Sequence, residues 1–310
     1  MTAKPAEQFS ANYFKPREYD HEKGRNVHVQ IVIERHGDPQ KDPLTGKSLD
    51  ALTEKGVREE REKGATLEVP AGGVKGYASP KKRTQQSADL QLEGLEDSEN
   101  AAHIINLKLK DIEKPQATYP NKDATFTPFI IREKRELDVL TFDPKFYRAM
   151  AFQNPEEQDE SKLIKHSYDE LVQYYLDHAD SSGTTLPPED VAALLAYRVG
   201  VELGMVLRLK DSSDVLLKNL THAPNADAFL QQVMLRDVDG RQARGFQNVA
   251  EIGGAIKPME GYTIDARTDE NGDLALKLIL RGQEYGIDEE RLRELAKRGK
   301  ELLKPKGDAA

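Results

Sequence analysis

The sequence predicts an α/β fold, a three-layer α/β/α sandwich with a mostly parallel central sheet and a helical insertion. Three observations predict it. Short strand-like runs recur at 27–33, 74–78, 126–131 and 214–220. Longer stretches of helical periodicity separate them, as a sheet covered by helices on both faces requires. A chain of 310 residues is also long enough to bury a sizeable core. One domain over 1–310 is expected, with a polar arm at 1–25 and a cap-like helical insertion over 143–209.

The elements follow in order. Val27 to Ile33 alternates and then fills with apolar residues, which reads as a buried strand. Asp38 to Asp50 reads as a loop. Thr53 caps a helix from about Glu54 to Thr66. Val74 to Ala78 is a short strand, and Ser79-Pro80 opens a second helix with Pro in its first turn. Phe126 to Ile131 reads as a strand. Phe146 to Gln153, Ser161 to His178 and Pro188 to about Leu209 read as helices. Asp214 to Leu220 is a strand, followed by a helix near Asp227 to Leu235. Gly261 to Ala266 and Leu274 to Leu280 flank an Asn271-Gly272 turn, a hairpin signal. Asp288 to Leu303 closes the chain as an amphipathic helix.

Composition narrows the function. The net charge is −9 and 32% of residues are charged, which argues against a broad nucleic-acid surface. No stretch approaches the ~20 apolar residues of a membrane span, and Met1 to Ser10 lacks an apolar signal region, so a cytoplasmic protein is expected. The absence of cysteine removes thiolate nucleophiles and cysteine metal sites. The seven histidines are scattered, with no His-Glu-x-x-His, so no metal and no cofactor is expected. His21, His28, His103, His166 and His178 are read as structural or solvated.

Three places at strand ends carry candidate chemistry, because open α/β sheets bind ligands beyond the carboxyl ends of their strands. They are Arg35-His36-Gly37, Ser79 to Arg83, and Thr221-His222. A neutral imidazole attacks phosphorus competently. Guanidinium groups bind phosphate oxygens bidentately. Gly37 permits close approach of backbone to a ligand.

Taken together these blocks resemble the histidine phosphatase superfamily, which includes the cofactor-dependent phosphoglycerate mutases. The resemblance lies in Ile31-Val-Ile-Glu-Arg35-His36-Gly37, Asp50-Ala-Leu-Thr-Glu-Lys-Gly56, Ser79-Pro80-Lys-Lys-Arg83-Thr-Gln-Gln-Ser-Ala88, and the strand ending in Thr221-His222. It covers 27–92 well and 214–236 fairly. It implies a single histidine-phosphatase-like domain with His36 as nucleophile and Arg35, Arg83 and His222 as phosphate ligands. It also implies a carboxylic proton donor in Ile131-Arg-Glu133-Lys-Arg-Glu136-Leu-Asp138, where Glu136 is preferred to Glu133. Val139-Leu140-Thr-Phe142 stands where the family often has Phe-Gly.

The expected activity is metal-independent hydrolysis of a small anionic phosphoester through phosphohistidine. A mutase-like phosphotransferase and a non-catalytic phospho-ligand or interaction module are the alternatives. The chain has Asp38-Pro-Gln after Arg-His-Gly and no tryptophan, where mutases typically carry Glu-Ser and soon Trp-Asn; this favours the phosphatase. Gly253 to Gly261 reads as a partly basic loop that either closes over substrate or simply connects. Neither the substrate nor the oligomeric state is legible.

Overall fold

A computed structural model describes residues 24–41, 48–68, 70, 73–96, 132–138, 143–151, 166–180 and 184–304. The expected strand at 126–131 and most of the 1–25 arm lie outside the described residues.

β1 (His28–Arg35) is the alternating run near the N-terminus, and β2 (Pro39–Lys41) and β3 (Ser48–Leu52) follow it. α1 (Glu54–Ala65) begins at Thr53, whose hydroxyl accepts from Gly56 N. β4 (Val74–Ala78) leads to α2 (Lys82–Glu96), and β5 (Arg132–Glu133) to a single 3-10 turn, Arg135–Leu137. α3 (Pro144–Ala151), α4 (Tyr168–His178) and α5 (Pro188–Val206) precede β6 (Asp214–Thr221). α6 (Ala223–Val233), β7 (Met234–Val238), β8 (Arg241–Arg244), β9 (Gly261–Thr268), β10 (Leu274–Leu280), β11 (Gln283–Ile287) and α7 (Glu289–Leu302) complete the chain.

The strands form one sheet in the order β5-β4-β6-β1-β9-β10-β11-β7-β8. β5, β4, β6 and β1 are mutually parallel. Beyond β1 each neighbour pairs antiparallel, so β10 and β7 point with β1 while β9, β11 and β8 oppose it. The side chains sort by face. Val29, Ile31 and Ile33 join Val215, Leu217 and Tyr77 in the main core with α5, α6 and α7. On the other face Val32 meets Val74, Leu216, Leu92 and Leu95 beneath α2. Apolar residues thus lie on both faces of β1 and β6, as on interior parallel strands, with the buried polar Glu34 and Lys218 among them.

Several expectations are corrected. The 38–50 segment is not all loop: β2 and β3 pair antiparallel within it. Pro80 stands ahead of α2 rather than in its first turn. The helix expected near Asp227 starts directly after His222, at Ala223. β7, β8 and β11 were not expected; β7 and β8 carry charged, half-exposed side chains at the sheet edge, where a hydrophobic pattern is missing. Within 143–209, α5 is a core helix: Ala192, Ala193 and Ala196 are fully buried, and Gly299 of α7 would place a Cβ 2.0 Å from Ala193 O. The expected hairpin forms, with Asp269 Oδ1 accepting from Asn271 N and Asp273 N at 2.8 Å. Among the described residues no helix is long and apolar enough to cross a membrane.

Candidate active site

Sheet register brings the three sequence blocks to one edge. Arg35 lies opposite Thr221, and Ala78 lies opposite both Leu220 and Glu133. The residues that follow, His36, Ser79 and His222, therefore emerge side by side at the carboxyl ends of parallel strands. Backbone bonds fix this join: His36 N donates to Thr221 O and Ser79 N to Leu220 O.

His36 is buried, and its ring is fixed through both nitrogens. Nδ1 lies 2.7 Å from Gly37 O. A carbonyl only accepts, so Nδ1 carries the proton and Nε2 holds a lone pair. Arg83 Nε donates to that lone pair at 3.0 Å. Burial lowers the His36 pKa to about 3; Arg83 and Arg35 act in the same direction, while the Gly37 carbonyl and Asp50 oppose them. The imidazole is thus a neutral base with its free nitrogen facing Arg83. Gly37 is required here: a Cβ would meet Glu60 Oε1 at 2.8 Å, and Gly37 N donates to Ser87 Oγ at 3.0 Å.

Arg83 links the two histidines. Its Nη2 lies 3.3 Å from His222 Nδ1, and the two imidazole centroids are 5.0 Å apart, edge to face. Asp50 of β3 holds the helix that carries it, accepting from Lys82 N at 3.1 Å and Arg83 N at 3.3 Å, with Oδ1 3.6 Å from Arg83 Nη1. His222 is the residue before α6, and its Nε2 lies 2.9 Å from Ser79 Oγ. Burial, then His36 and the nearby cations, lower the His222 pKa well below the ordinary histidine value.

Arg35 is held from behind. Its Nη1 donates to Ile256 O at 3.1 Å, and its guanidinium lies 4.1 Å from the ring centre of Tyr168, the first residue of α4. Asp227 of α6 is fully buried in the same region and accepts from Ile256 N at 3.0 Å. Burial raises its pKa to about 7, with Arg35 and Arg281 partly opposing. The 253–261 loop is tethered at several points. Met259 N donates to Arg35 O, Ala255 N to Asp169 Oδ1, and Arg281 to the carbonyls of Ile252, Gly254 and Ala255.

A second buried network stands behind Gly37. Glu34 Oε2 lies 2.7 Å from Lys63 Nζ and 3.1 Å from Lys218 Nζ. Burial alone would raise the Glu34 pKa, but Lys218 and Lys63 outweigh it. Glu60 shares Gln91 Nε2 with Glu34, at 2.5 Å from each carboxylate, and burial and the Glu34 charge raise its pKa.

The two candidate acids part company. Glu136 turns to Arg198, 3.8 Å away, which stacks 3.5 Å from the centre of the Tyr77 ring and binds Glu202 at 2.6 Å. No polar contact joins Glu136 to His36, Arg83 or His222. Glu133 ends β5 beside Ala78 and accepts from Gln85 Nε2 at 3.2 Å; Gln85 sits on α2 with Arg83.

Ser79, Asp50, Tyr168 and Asp227 were not assigned from sequence. Ser79 and Asp50 stood inside the quoted blocks, so position marked them; Tyr168 and Asp227 carried no local signal. The remaining histidines among the described residues have other ties, His28 to Asp214 and Asp265, His166 to Glu170, and His178 to Tyr174. Among the described residues no group of three His, Asp or Glu is placed to hold a metal ion.

No protein-family model matches the sequence, and no curated protein does. Solved structures do resemble the fold. A phosphoglycerate mutase from Bacillus anthracis is 14% identical, with a TM-score of 0.44 over 89% of this chain and 98% of that one. A mycobacterial glucosyl-3-phosphoglycerate phosphatase is 11% identical, with a TM-score of 0.42 over 80% of this chain and 97% of the other. A structure described as an alpha-ribazole-5′-P phosphatase from Escherichia coli is 11% identical, with a TM-score of 0.37 over 83% and 98%.

Proposed function

We propose that the chain hydrolyses a small phosphomonoester through a phosphohistidine at His36. One observation carries the reading: the unprotonated Nε2 of a buried histidine faces Arg83, which also reaches His222, at the carboxyl edge of parallel strands. A phosphoryl group presents three oxygens with spread negative charge. Arg83 moves its donors from the imidazoles to those oxygens, and Arg35 and His222 supply the others.

His36 Nε2 attacks phosphorus, and the bond from phosphorus to the leaving oxygen breaks as the N–P bond forms. The Nδ1–H bond to Gly37 O holds the ring and steadies the positive charge it gains. The leaving oxygen takes a proton from an acid. Glu133 is assigned that role in place of Glu136, because Glu136 is engaged with Arg198 whereas Glu133 stands at the strand end opposite Ala78, the residue before Ser79. Water then attacks phosphorus, gives its proton to Glu133, and releases phosphate and neutral His36. The combination of Asp38-Pro39-Gln40 with no tryptophan supports water rather than a bound sugar acid as acceptor. Tyr168 brings the 143–209 segment to Arg35, which supports a part for that segment in bounding the substrate.

Rapid quench with a labelled phosphoester tests this. Acid-labile phosphate on His36 is expected, with turnover that survives a chelator. Undiminished turnover in His36→Ala would refute the nucleophile, and activity that depends on added metal would undercut the mechanism.

A further inference from the structure

The hydroxyls behind His222 decide where its proton sits. Thr84 Oγ1 lies 2.7 Å from Lys81 O and 3.1 Å from Ser79 O, and both are carbonyls. Its one proton goes to them, because a carbonyl cannot donate. Thr84 Oγ1 therefore accepts from Ser79 Oγ, 2.7 Å away. That commits the only proton of Ser79. Ser79 Oγ is left as an acceptor, taking Lys81 N–H at 3.2 Å and facing His222 Nε2 at 2.9 Å. Nε2 must then carry the ring proton, and in a neutral ring Nδ1 is bare. The far side agrees: Nδ1 faces Arg83 Nη2, which can only donate. Ser79 and Thr84 are fully buried and His222 is 2% exposed; reversing the chain would turn the Thr84 proton away from Ser79 O and set a His222 Nδ1–H against the Arg83 Nη2 donor.

We infer that Ser79 and Thr84 are positioning residues that hold His222 with a bare Nδ1, so that His222 takes up a proton when a phosphoryl group binds. A bare nitrogen repels a phosphoryl oxygen. The neutral Nδ1–H tautomer would need both hydroxyls to turn, so that Ser79 O loses the Thr84 hydroxyl, although Lys81 O keeps Thr84 N and Gln85 N. Uptake of one proton from solvent avoids this: Nε2–H stays on Ser79 and a new Nδ1–H points at the oxygen. The groups that face His222 are His36 after β1, Arg35 on β1, and Arg83 and Lys81 at the start of α2. All disfavour a further positive charge until an anion arrives. Asp50 and Asp138 act on Arg83 from the other side. The tautomer stands on hydrogen bonding alone; the coupling to an anion rests on the phosphoryl reading above.

The experiment uses the full chain with nitrogen-15 histidine. Two-bond nitrogen–proton spectra of the free protein should show His222 protonated at Nε2. Thr84→Val frees the Ser79 hydroxyl to donate to Nε2 and should shift His222 towards the Nδ1–H form; Thr84→Ser should restore the original pattern. Inorganic phosphate is then titrated calorimetrically in two buffers of different protonation enthalpy, at a pH where phosphate is already the dianion. Uptake should approach one proton per phosphate in the wild type and in Thr84→Ser, and fall towards zero in Thr84→Val. Ser79→Ala, a smaller change, should lower uptake in the same direction if the valine variant does not fold. An Nδ1–H His222 in the free wild type would overturn the tautomer. Uptake unchanged in folded Thr84→Val and Ser79→Ala would overturn the positioning role. Failure of the wild type to bind phosphate at all would overturn the coupling and the phosphoryl reading, while the spectra would still judge the tautomer.

Discussion

Arg83 donates from Nε to Nε2 of His36 across 3.0 Å, so the candidate nucleophile spends its lone pair on the residue assigned to receive phosphate. The pair is mutually dependent: an anion that draws Arg83 away also uncovers the nitrogen. Arg83→Ala removes the transition-state donor and the bond that aims the ring. Its kcat/KM should fall by about 10²- to 10³-fold, the scale for losing a preorganised charge donor. Steady-state kinetics on a simple aryl phosphate would check this, and a loss under about tenfold would contradict the assignment.

The pH profile follows from the same contact. Burial and Arg83 hold the His36 pKa near 3, far below the ordinary 6.5. His36 is therefore the free base at all pH values above that. The acid limb of kcat should not fall at the usual histidine position. For stability, the sign runs the other way from a gained ion pair. The folded value is depressed, so this group's contribution is present above 6.5 and is lost as pH falls towards about 3.

Glu133→Gln and Glu136→Gln should separate cleanly. Loss of the proton donor matters most with a poor leaving group, so Glu133→Gln should slow an alkyl phosphate about 10²-fold or more while sparing an activated aryl ester. Glu136→Gln should leave the leaving-group dependence unchanged and lower thermal stability instead, because Glu136 lies 3.8 Å from the buried Arg198. The reverse pattern would return the acid to Glu136.

How far the sequence could be read depended on where the determining contact lay. β1, β4 and β6 were legible from their apolar positions, although Glu34, Lys75 and Lys218 are buried among them, and the strand-end rule then put His36, Ser79 and His222 together. β7 and β8 were not, since their side chains are charged; yet Asp239-Gly240 between them, both at positive φ, is a hairpin signal that a search for turns would have found. α5 was taken as part of an insertion although it is apolar nearly all round, the mark of a buried helix. Motif similarity favoured Glu136, and the contact that bears on that preference, 3.8 Å to Arg198 on α5, comes from a helix distant in sequence. Ser79 had the position without an assignment because its role appears only once His222 stands beside it.

Gly37→Ala tests how tightly the nucleophile's turn is built. The new Cβ would stand 2.8 Å from Glu60 Oε1, and Glu60 is fully buried against Gln91 and Glu34. Either the buried Glu60 side chain or the turn must shift, and the turn carries the carbonyl that fixes His36 Nδ1. Displacing reacting groups by roughly an ångström costs about 10²-fold in rate. Turnover should fall on that scale, with a smaller loss of phosphohistidine stability to hydrolysis. Glu60→Ala in the same background opens the space and should recover part of the rate, which a general folding defect would not allow.

Asp227 gives the fold a pH dependence that can be isolated by difference. It is fully buried, one oxygen accepts from Ile256 N, and the other has no hydrogen-bond partner. Arg35 and Arg281 favour its charged form, while Tyr168 and Tyr262, which feel its charge, have buried hydroxyls without a hydrogen-bond partner. Burial outweighs the two cations and raises the pKa from 3.8 to about 7. The folded chain then keeps a proton that the unfolded chain gives up. This contribution is complete below 3.8 and is lost as pH rises through about 7. Asp227→Asn has nearly the same shape, keeps the acceptor for Ile256 N, and does not titrate. In urea unfolding at about pH 5 and about pH 8, the stability of the wild type relative to the variant should fall by on the order of 3 kcal/mol between the two conditions. A difference independent of pH would mean that Asp227 is ionised throughout and paired with Arg35. In that case Asp227→Asn should instead loosen Arg35 and weaken phosphate binding with little change in the pH slope.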